Sequence, residues 1–496
     1  MRVGRTVLVF LFLPFLAAAA PPAKDQTTRL EWAELPPEMK PADREVKFGY
    51  LVVPEDRRAR KLRTIRLPFA ILKTKNSSPR PDPVIFTTGG PGGSTIGRVR
   101  GASRNPILAD RDYILFEQRG TARADPSLTC PEIDEVLKRS IGVELNSRPP
   151  SAELETAIRG CADRLIASGV NLAGYTTRES AADIEDLRRL LGIKEWNLYG
   201  VSYSGRLMAT VIRDHPDGVR CAILDSPLPV EANWDEEAPR NIVASLDLLF
   251  GLCQSDSDCS SCYPDLRRRF YRFLSEANRE PVRVHVSSPN GEVKTEIRLD
   301  GKGVFESVYN GLEDSSMIPR LPQILDRACA GEHQVLAPLV QSLVSPPTYA
   351  WGARLSVWAN EEMPFENLKK ALKQPDLPVE IGGYYELAVP DEAFDVWPRG
   401  KPRAEENRPV RSGIPVLITN GQLDPDTPPV WSQRMARHLR HAQLIEFPGY
   451  SHAPLFSHPA SNEIIRQFLD DPLRPIDQQS IRNRFPIRFV CEPAGK

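Results

Sequence analysis

The sequence predicts an α/β protein: a mostly parallel sheet with helices on both faces, interrupted by a large, mainly helical insertion. Three observations carry that prediction. PVIFTT at 83–88 is a short, apolar, β-branched run, the pattern of a strand buried on both faces. Strands and helices then alternate to about residue 229, which implies parallel pairing. The alternation stops from about 230 to 405 and resumes at IPVLITNG (414–421).

In chain order, EVKFGYLVVPE (45–55) and TIRLPFAILKT (64–74) read as two neighbouring strands, followed by PVIFTT and by DYILFEQRG (112–120). Helical periodicity covers about 151–168. TTRESAADIEDLRRLLG (176–192) is a capped helix with Thr177 or Ser180 as cap, apolar positions at Ala181, Ile184, Leu187 and Leu191, and a stop at Gly192. EWNLYG (195–200) is a strand, about Ser204 to His215 a helix, and VRCAILD (219–225) a strand. Within 230–405 the chain is rich in prolines and helix-like segments, with a hairpin expected over 282–299 around Asn290-Gly291. After 414–421 come a helix at 428–440, a strand at 442–447 and a helix at 461–470. The expected division is a leader at 1–20, core at 21–229, cap insertion at 230–405 and core again at 406–496.

Bulk properties narrow the partners. Hydrophobic residues make up 41% and charged residues 26%, ordinary for a globular chain. Lys+Arg 64 against Asp+Glu 65 leaves a net charge of −1, so no nucleic-acid partner is expected. At the N-terminus MRVGR is a positive segment, TVLVFLFLPFLAAAA a short apolar one, and Ala17 to Ala20 offer small residues for cleavage. That is the layout of a signal peptide, so a secreted or periplasmic protein with no stable membrane insertion after cleavage is expected.

Export makes the eight cysteines relevant to disulfides. Cys253, Cys259 and Cys262 cluster in LCQSDSDCSSCYPD, where one local disulfide is expected and a zinc site is disfavoured for want of a nearby histidine. Cys130 and Cys161 flank the first long helical region, and Cys221 reads as a buried thiol.

The chemistry begins at WNLYGVSYSGRLM (196–208). Strand, tight turn and helix around Ser202 match a nucleophile elbow, in which the serine occupies strained backbone and its neighbours two residues away must be small. Gly200 meets that need; Ser204 stands where G-x-S-x-G has its second glycine. The base is assigned to His452 in FPGYSHAPL and the orienting acid to Asp424 in NGQLDPDTPP, with His458 and Asp426 as their nearest rivals. Both assigned residues follow sheet strands, giving the chain order Ser, Asp, His. GGPGGS (89–94) follows a buried strand and lacks the lysine of a phosphate loop. Its close-approaching backbone suits an oxyanion hole, with one N–H from Gly89 or Gly90 and a second from Tyr203.

TTGGPGGS, FEQRGTARADPSLTC, YGVSYSGRLMA, NGQLDPDTPP and GYSHAPL together resemble secreted α/β-hydrolases of the prolyl aminopeptidase and tripeptidyl aminopeptidase group. The resemblance covers about 45–228 and 406–470, and it departs at Ser204 and at Thr88, where many relatives have a histidine. It implies the α/β-hydrolase fold and Ser202, Asp424 and His452 as nucleophile, acid and base. It also implies peptides cleaved from a free N-terminus, often near proline, beneath a cap. A free amine needs a carboxylate, and VEANWDEEAPR offers Glu231, Asp235, Glu236 and Glu237. No metal or cofactor is expected, and the substrate is a peptide or small ester. An esterase with the same triad, and an inactive binding protein on the same fold, are the alternatives.

Overall fold

The computed structural model describes residues 27–59, 63–140, 151–287, 294–344, 349–367 and 396–491. The leader segment and the Asn290-Gly291 turn lie outside the described residues.

Nine strands form one sheet in the order β1-β2-β3-β5-β4-β6-β7-β10-β11. Its antiparallel end is β1 (Arg29–Ala33), β2 (Val46–Pro54) and β3 (Thr64–Leu72). The parallel part is β5 (Tyr113–Phe116), β4 (Val84–Thr87), β6 (Trp196–Val201), β7 (Val219–Asp225), β10 (Val416–Gly421) and β11 (Ala442–Phe447). β4, β6 and β10 are buried at every position, because helices cover both faces. One apolar layer packs Leu198, Ile212, Ile184 and Ile418 together; the other packs Phe86, Tyr199, Ile223 and Phe468.

Local details differ from the sequence expectations in small ways. The helix Thr177–Leu190 is capped by Thr176, whose side chain accepts from the Glu179 amide, so neither Thr177 nor Ser180 is the cap. The helix after β10 is only Pro429–Ala436.

Between β7 and β10 the chain builds helices Trp234–Ser255, Leu266–Arg279, Gly301–Glu313, Leu321–Cys329, Ala337–Val344 and Trp351–Glu361. It also contains the antiparallel pair β8 (Val282–Ser287) and β9 (Lys294–Leu299). This region has its own apolar core, with Leu246, Phe270, Leu274, Val304 and Leu325 at its centre. Cys130 is bonded to Cys161 and Cys253 to Cys259; Cys262 is bonded to Cys491, across 229 residues. Cys221 is a buried free thiol, its pKa pushed up to about 12 by burial. Among the described residues no helix is long and apolar enough to cross a membrane.

Candidate active site

Ser202 stands on the turn between β6 and helix Tyr203–Asp214 at φ 59 and ψ −126, a conformation that costs a non-glycine residue of order 1–3 kcal/mol. The surroundings hold it there. Its N–H donates to the Asp225 carbonyl at 3.0 Å, and its own carbonyl accepts from Gly205 at 2.8 Å and Leu228 at 3.0 Å. Gly200 is required because a Cβ there would lie 2.3 Å from the Ser204 carbonyl oxygen. The second small residue of the elbow is Gly205, where a Cβ would fall 2.4 Å from that of Pro227.

The loop after β10 presents Asp424, and the loop after β11 presents His452. His452 Nδ1 lies 3.0 Å from Asp424 Oδ2 and 3.1 Å from Thr427 Oγ1. Asp424 is buried and accepts from the Asp426 and Thr427 amides at 3.0 and 2.9 Å, from Asn420 Nδ2 at 3.1 Å and from Thr427 Oγ1 at 3.0 Å. With so many donors it stays an acceptor toward the ring. The proton then sits on Nδ1, and Nε2 is left as the basic nitrogen.

Ser226, at φ 48 directly after β7, ties the parts together. Its hydroxyl accepts from the Ala453 amide at 2.9 Å and its carbonyl accepts from Thr427 Oγ1 at 2.9 Å. The preceding residue, Asp225, holds the Ser202 amide on its carbonyl and the Leu455 amide on its carboxylate at 3.2 Å. The serine turn and the histidine loop thus hang from one two-residue segment. Nothing in the sequence pattern singled out Asp225, Ser226 or Thr427; only the strand order reveals their position.

The rival residues have other work. His458 is buried against Phe447, Tyr450 and Phe485, and its Nδ1 accepts from the Ala460 amide. Burial and the nearby Arg484 lower its pKa to about 4. Asp426 faces the other nitrogen of the His452 imidazole, its Oδ2 3.8 Å from Nε2. Its Oδ1 and Glu313 Oε1 each lie 3.3 Å from Tyr309 Oη and share its one hydrogen. Burial opposes a charge on His452. The adjacent Asp424, then Asp426 and Glu313, outweigh it and raise the pKa to about 10.

Most of the carboxylates expected to meet a substrate amine already have partners in the fold. Glu237 is occupied by Trp431 Nε1 at 2.7 Å and Arg434 at 2.8 Å, and Glu236 accepts from the Asn367 amide at 3.1 Å. Glu231 has one enclosed oxygen without a hydrogen-bond partner among the described residues, and Asp235 accepts from Trp358 Nε1 at 2.9 Å. None of these is among the groups that set the charge state of His452, whereas Asp426 and Glu313 are. Glu362 is paired with Arg206 of the elbow helix, and Glu361 binds Thr177, whose hydroxyl meets Tyr203 Oη at 2.7 Å. These glutamates clamp the cap base to the elbow.

GGPGGS wraps the front of the site. A Cβ on Gly89 would stand 2.6 Å from Ser202 Cβ and 3.1 Å from its Oγ, so only glycine allows that approach. Gly90 is at φ +127 and its carbonyl accepts from Arg354 Nη1 at 2.9 Å. Tyr203 N–H is the first amide of its helix, where no intrahelical acceptor exists.

Residues 82–250 match the family described as alpha/beta hydrolase fold, and residues 391–480 match the family described as TAP-like protein. The chain belongs to the α/β-hydrolase fold. It is 31% identical over 192 residues to a tripeptidyl aminopeptidase of Streptomyces coelicolor, covering 36% of this chain and 35% of that protein. It is 22% identical over 397 residues to serine protease Hip1 of Mycobacterium tuberculosis, 75% of each chain, and 25% identical over 167 residues to proline iminopeptidase of Neisseria gonorrhoeae, 33% of this chain and 39% of that one. This α/β-hydrolase therefore spans about a third of the length of the tripeptidyl aminopeptidases it matches.

Proposed function

We propose that the protein is an exported serine hydrolase, an aminopeptidase that releases N-terminal residues or tripeptides from peptides, with proline-related specificity, through an acyl-enzyme. Ser202 Oγ attacks the scissile carbonyl while His452 Nε2 takes its proton. Asp424 holds the ring through Nδ1 and stabilises the imidazolium. The tetrahedral oxyanion is met by the Tyr203 N–H and an N–H of the Gly89-Gly90 turn. His452 returns the proton to the leaving amine, and water repeats the sequence to free Ser202.

The observation that carries the aminopeptidase over the esterase is Asp426, 3.8 Å from the basic nitrogen and sharing Tyr309 with Glu313. Two carboxylates beside the reacting centre favour a substrate that brings a positive charge; a neutral ester gains nothing from them. Export is supported by three disulfides, which persist in oxidising compartments. The named relatives, which are peptidases, support the same class.

The test is a chromogenic panel: a proline amide with a free amine, a free-amine tripeptide amide ending in proline, its N-blocked twin, and a short acyl ester. A free-amine amide should be cleaved, its N-blocked twin should not, and Ser202→Ala should lower turnover by about 10⁴-fold or more. The better of the two amides fixes how many residues leave. Ester-only turnover that needs Ser202 would replace this reading with the esterase. No turnover at all would leave the inactive binding protein, and turnover indifferent to Ser202→Ala would remove Ser202 as the nucleophile.

A further inference from the structure

Ser204 is where this chain departs from the G-x-S-x-G pattern, and the mechanism above gives it no task. Its side chain is fully buried. Its hydroxyl donates to the Thr88 carbonyl and accepts from Gln118 Nε2 at 3.0 Å. The same nitrogen lies 2.7 Å from the Thr88 carbonyl and 2.8 Å from Thr87 Oγ1, so its two hydrogens are shared among three acceptors. The Thr88 amide is held by Thr95 Oγ1 at 3.0 Å, and the Thr95 and Ile96 amides are held by the buried Glu117 carboxylate at 2.7 and 2.8 Å. The EQ pair at 117–118 and the extra serine therefore grip the start of the glycine loop from two sides.

What they grip has a chemical consequence. The Thr88 carbonyl and the Gly89 N–H belong to one planar trans peptide and point in opposite directions. Donors converging on the oxygen fix the direction of the N–H, and they polarise the peptide so that the N–H becomes a better donor. That N–H makes no backbone hydrogen bond among the described residues, and the Gly89 backbone lies against Ser202.

We propose that Ser204 and Gln118 are positioning residues that aim the Gly89 N–H at the oxyanion formed on attack by Ser202. The proposal rests on the serine-hydrolase reading and deepens it by naming what holds the start of the glycine loop. An alanine at 204 leaves the Thr88 carbonyl with one side-chain donor and frees the peptide to tilt.

The experiment compares Ser204→Ala, Ser204→Thr and Gln118→Leu with the parent. A fluorophosphonate titrates Ser202 first, so that rates are expressed per competent site and misfolded molecules drop out. For Ser204→Ala, kcat per site should fall about 10- to 100-fold with KM within about threefold, since one oxyanion donor is worth about 10²–10³ when lost outright. A peptidyl trifluoromethyl ketone, which becomes a tetrahedral oxyanion on binding, should lose affinity by the same factor while the product peptide does not. Ser204→Thr, which keeps the hydroxyl, should recover most of the rate. If the added methyl prevents folding, Gln118→Leu carries the test by removing the other donor. A kcat per titrated site within twofold of the parent in Ser204→Ala and Gln118→Leu, even with a lowered melting temperature, overturns the proposal. Failure of the underlying reading would show differently: the unsubstituted protein would not react with the fluorophosphonate.

Discussion

The loops at the carboxyl ends of the sheet and the insertion above them are held by different forces. The sheet-end loops are fixed by buried polar contacts: Asp424 takes four hydrogen bonds besides the one to His452, and Ser226 bridges two loops. The insertion is held by an apolar core of its own and by two disulfides, one of which ties it to the C-terminal segment. That segment lies along it, with Val490 donating to the Pro319 carbonyl at 2.9 Å and accepting from Tyr263 Oη at 2.9 Å. Hydrogen bonds are directional and fix atoms to fractions of an ångström, as proton transfer needs. Apolar packing is non-directional, so it holds the insertion together without aiming particular atoms.

The sharpest way to break that contrast is Asp424→Asn. The amide oxygen can keep the 426 and 427 amides on the Oδ1 side, which turns its NH2 toward the ring where an acceptor is needed and forces the wrong tautomer on His452. We expect kcat to fall by about 10⁴-fold with fluorophosphonate labelling slowed to match. A loss below tenfold would mean that Asp225 or Asp426 can take over as the orienting acid.

The double variant Cys262→Ser, Cys491→Ser addresses the other half. Releasing a link across 229 residues should cost about 2–4 kcal/mol of stability, read as a lowered melting temperature. Labelling of Ser202 by a small fluorophosphonate should stay within about twofold, because the hydrogen bonds described for the serine turn and for His452 run to residues outside the C-terminal segment, whereas KM for peptides should rise. Equal losses in labelling and in peptide turnover would show that the loops depend on the cap after all.

How much of this was legible in the sequence follows the same division. Ser202, Asp424, His452 and the glycine loop sit at strand ends, and strand ends are marked by apolar runs that stop at glycine or proline. The sheet order brings them together without further information. Gln118 and Glu117 were visible as part of a motif, but Gln118 meets the end of β4 and the elbow helix and Glu117 meets the amides at 95 and 96, and no periodicity reports contacts between such separate segments. Ser226 and Thr427 look like ordinary loop residues until β7 and β10 are known to be neighbours. Glu231, Glu236 and Glu237 were selected on proximity to the cap's start. The helix Pro429–Ala436, outside the insertion, satisfies Glu237 with Trp431 and Arg434, residues that sequence distance hides.

Asp426 joins the two regions, lying on a sheet-end loop yet hydrogen-bonded to Tyr309 of the insertion. Asp424, Asp426 and Glu313 all favour the protonated imidazole, and Asp225 lies close enough to do the same. The base works only when neutral, so kcat/KM should rise with pH, and its acid limb should be centred above the ordinary histidine value of about 6.5. Asp426 itself is pushed up by burial and by the adjacent Asp424. Asp426→Asn removes one anion while keeping a group that can meet Tyr309. The imidazolium is then less favoured, the pKa of His452 falls, and the acid limb should move to lower pH by about one unit. At a pH above both limbs the ester rate should hardly change, while the preference for a free amine over its blocked twin should shrink about tenfold. A shifted limb with undiminished amine preference would leave Asp426 as a tuner of the base alone and pass the amine to Glu313 or to another carboxylate of the cap.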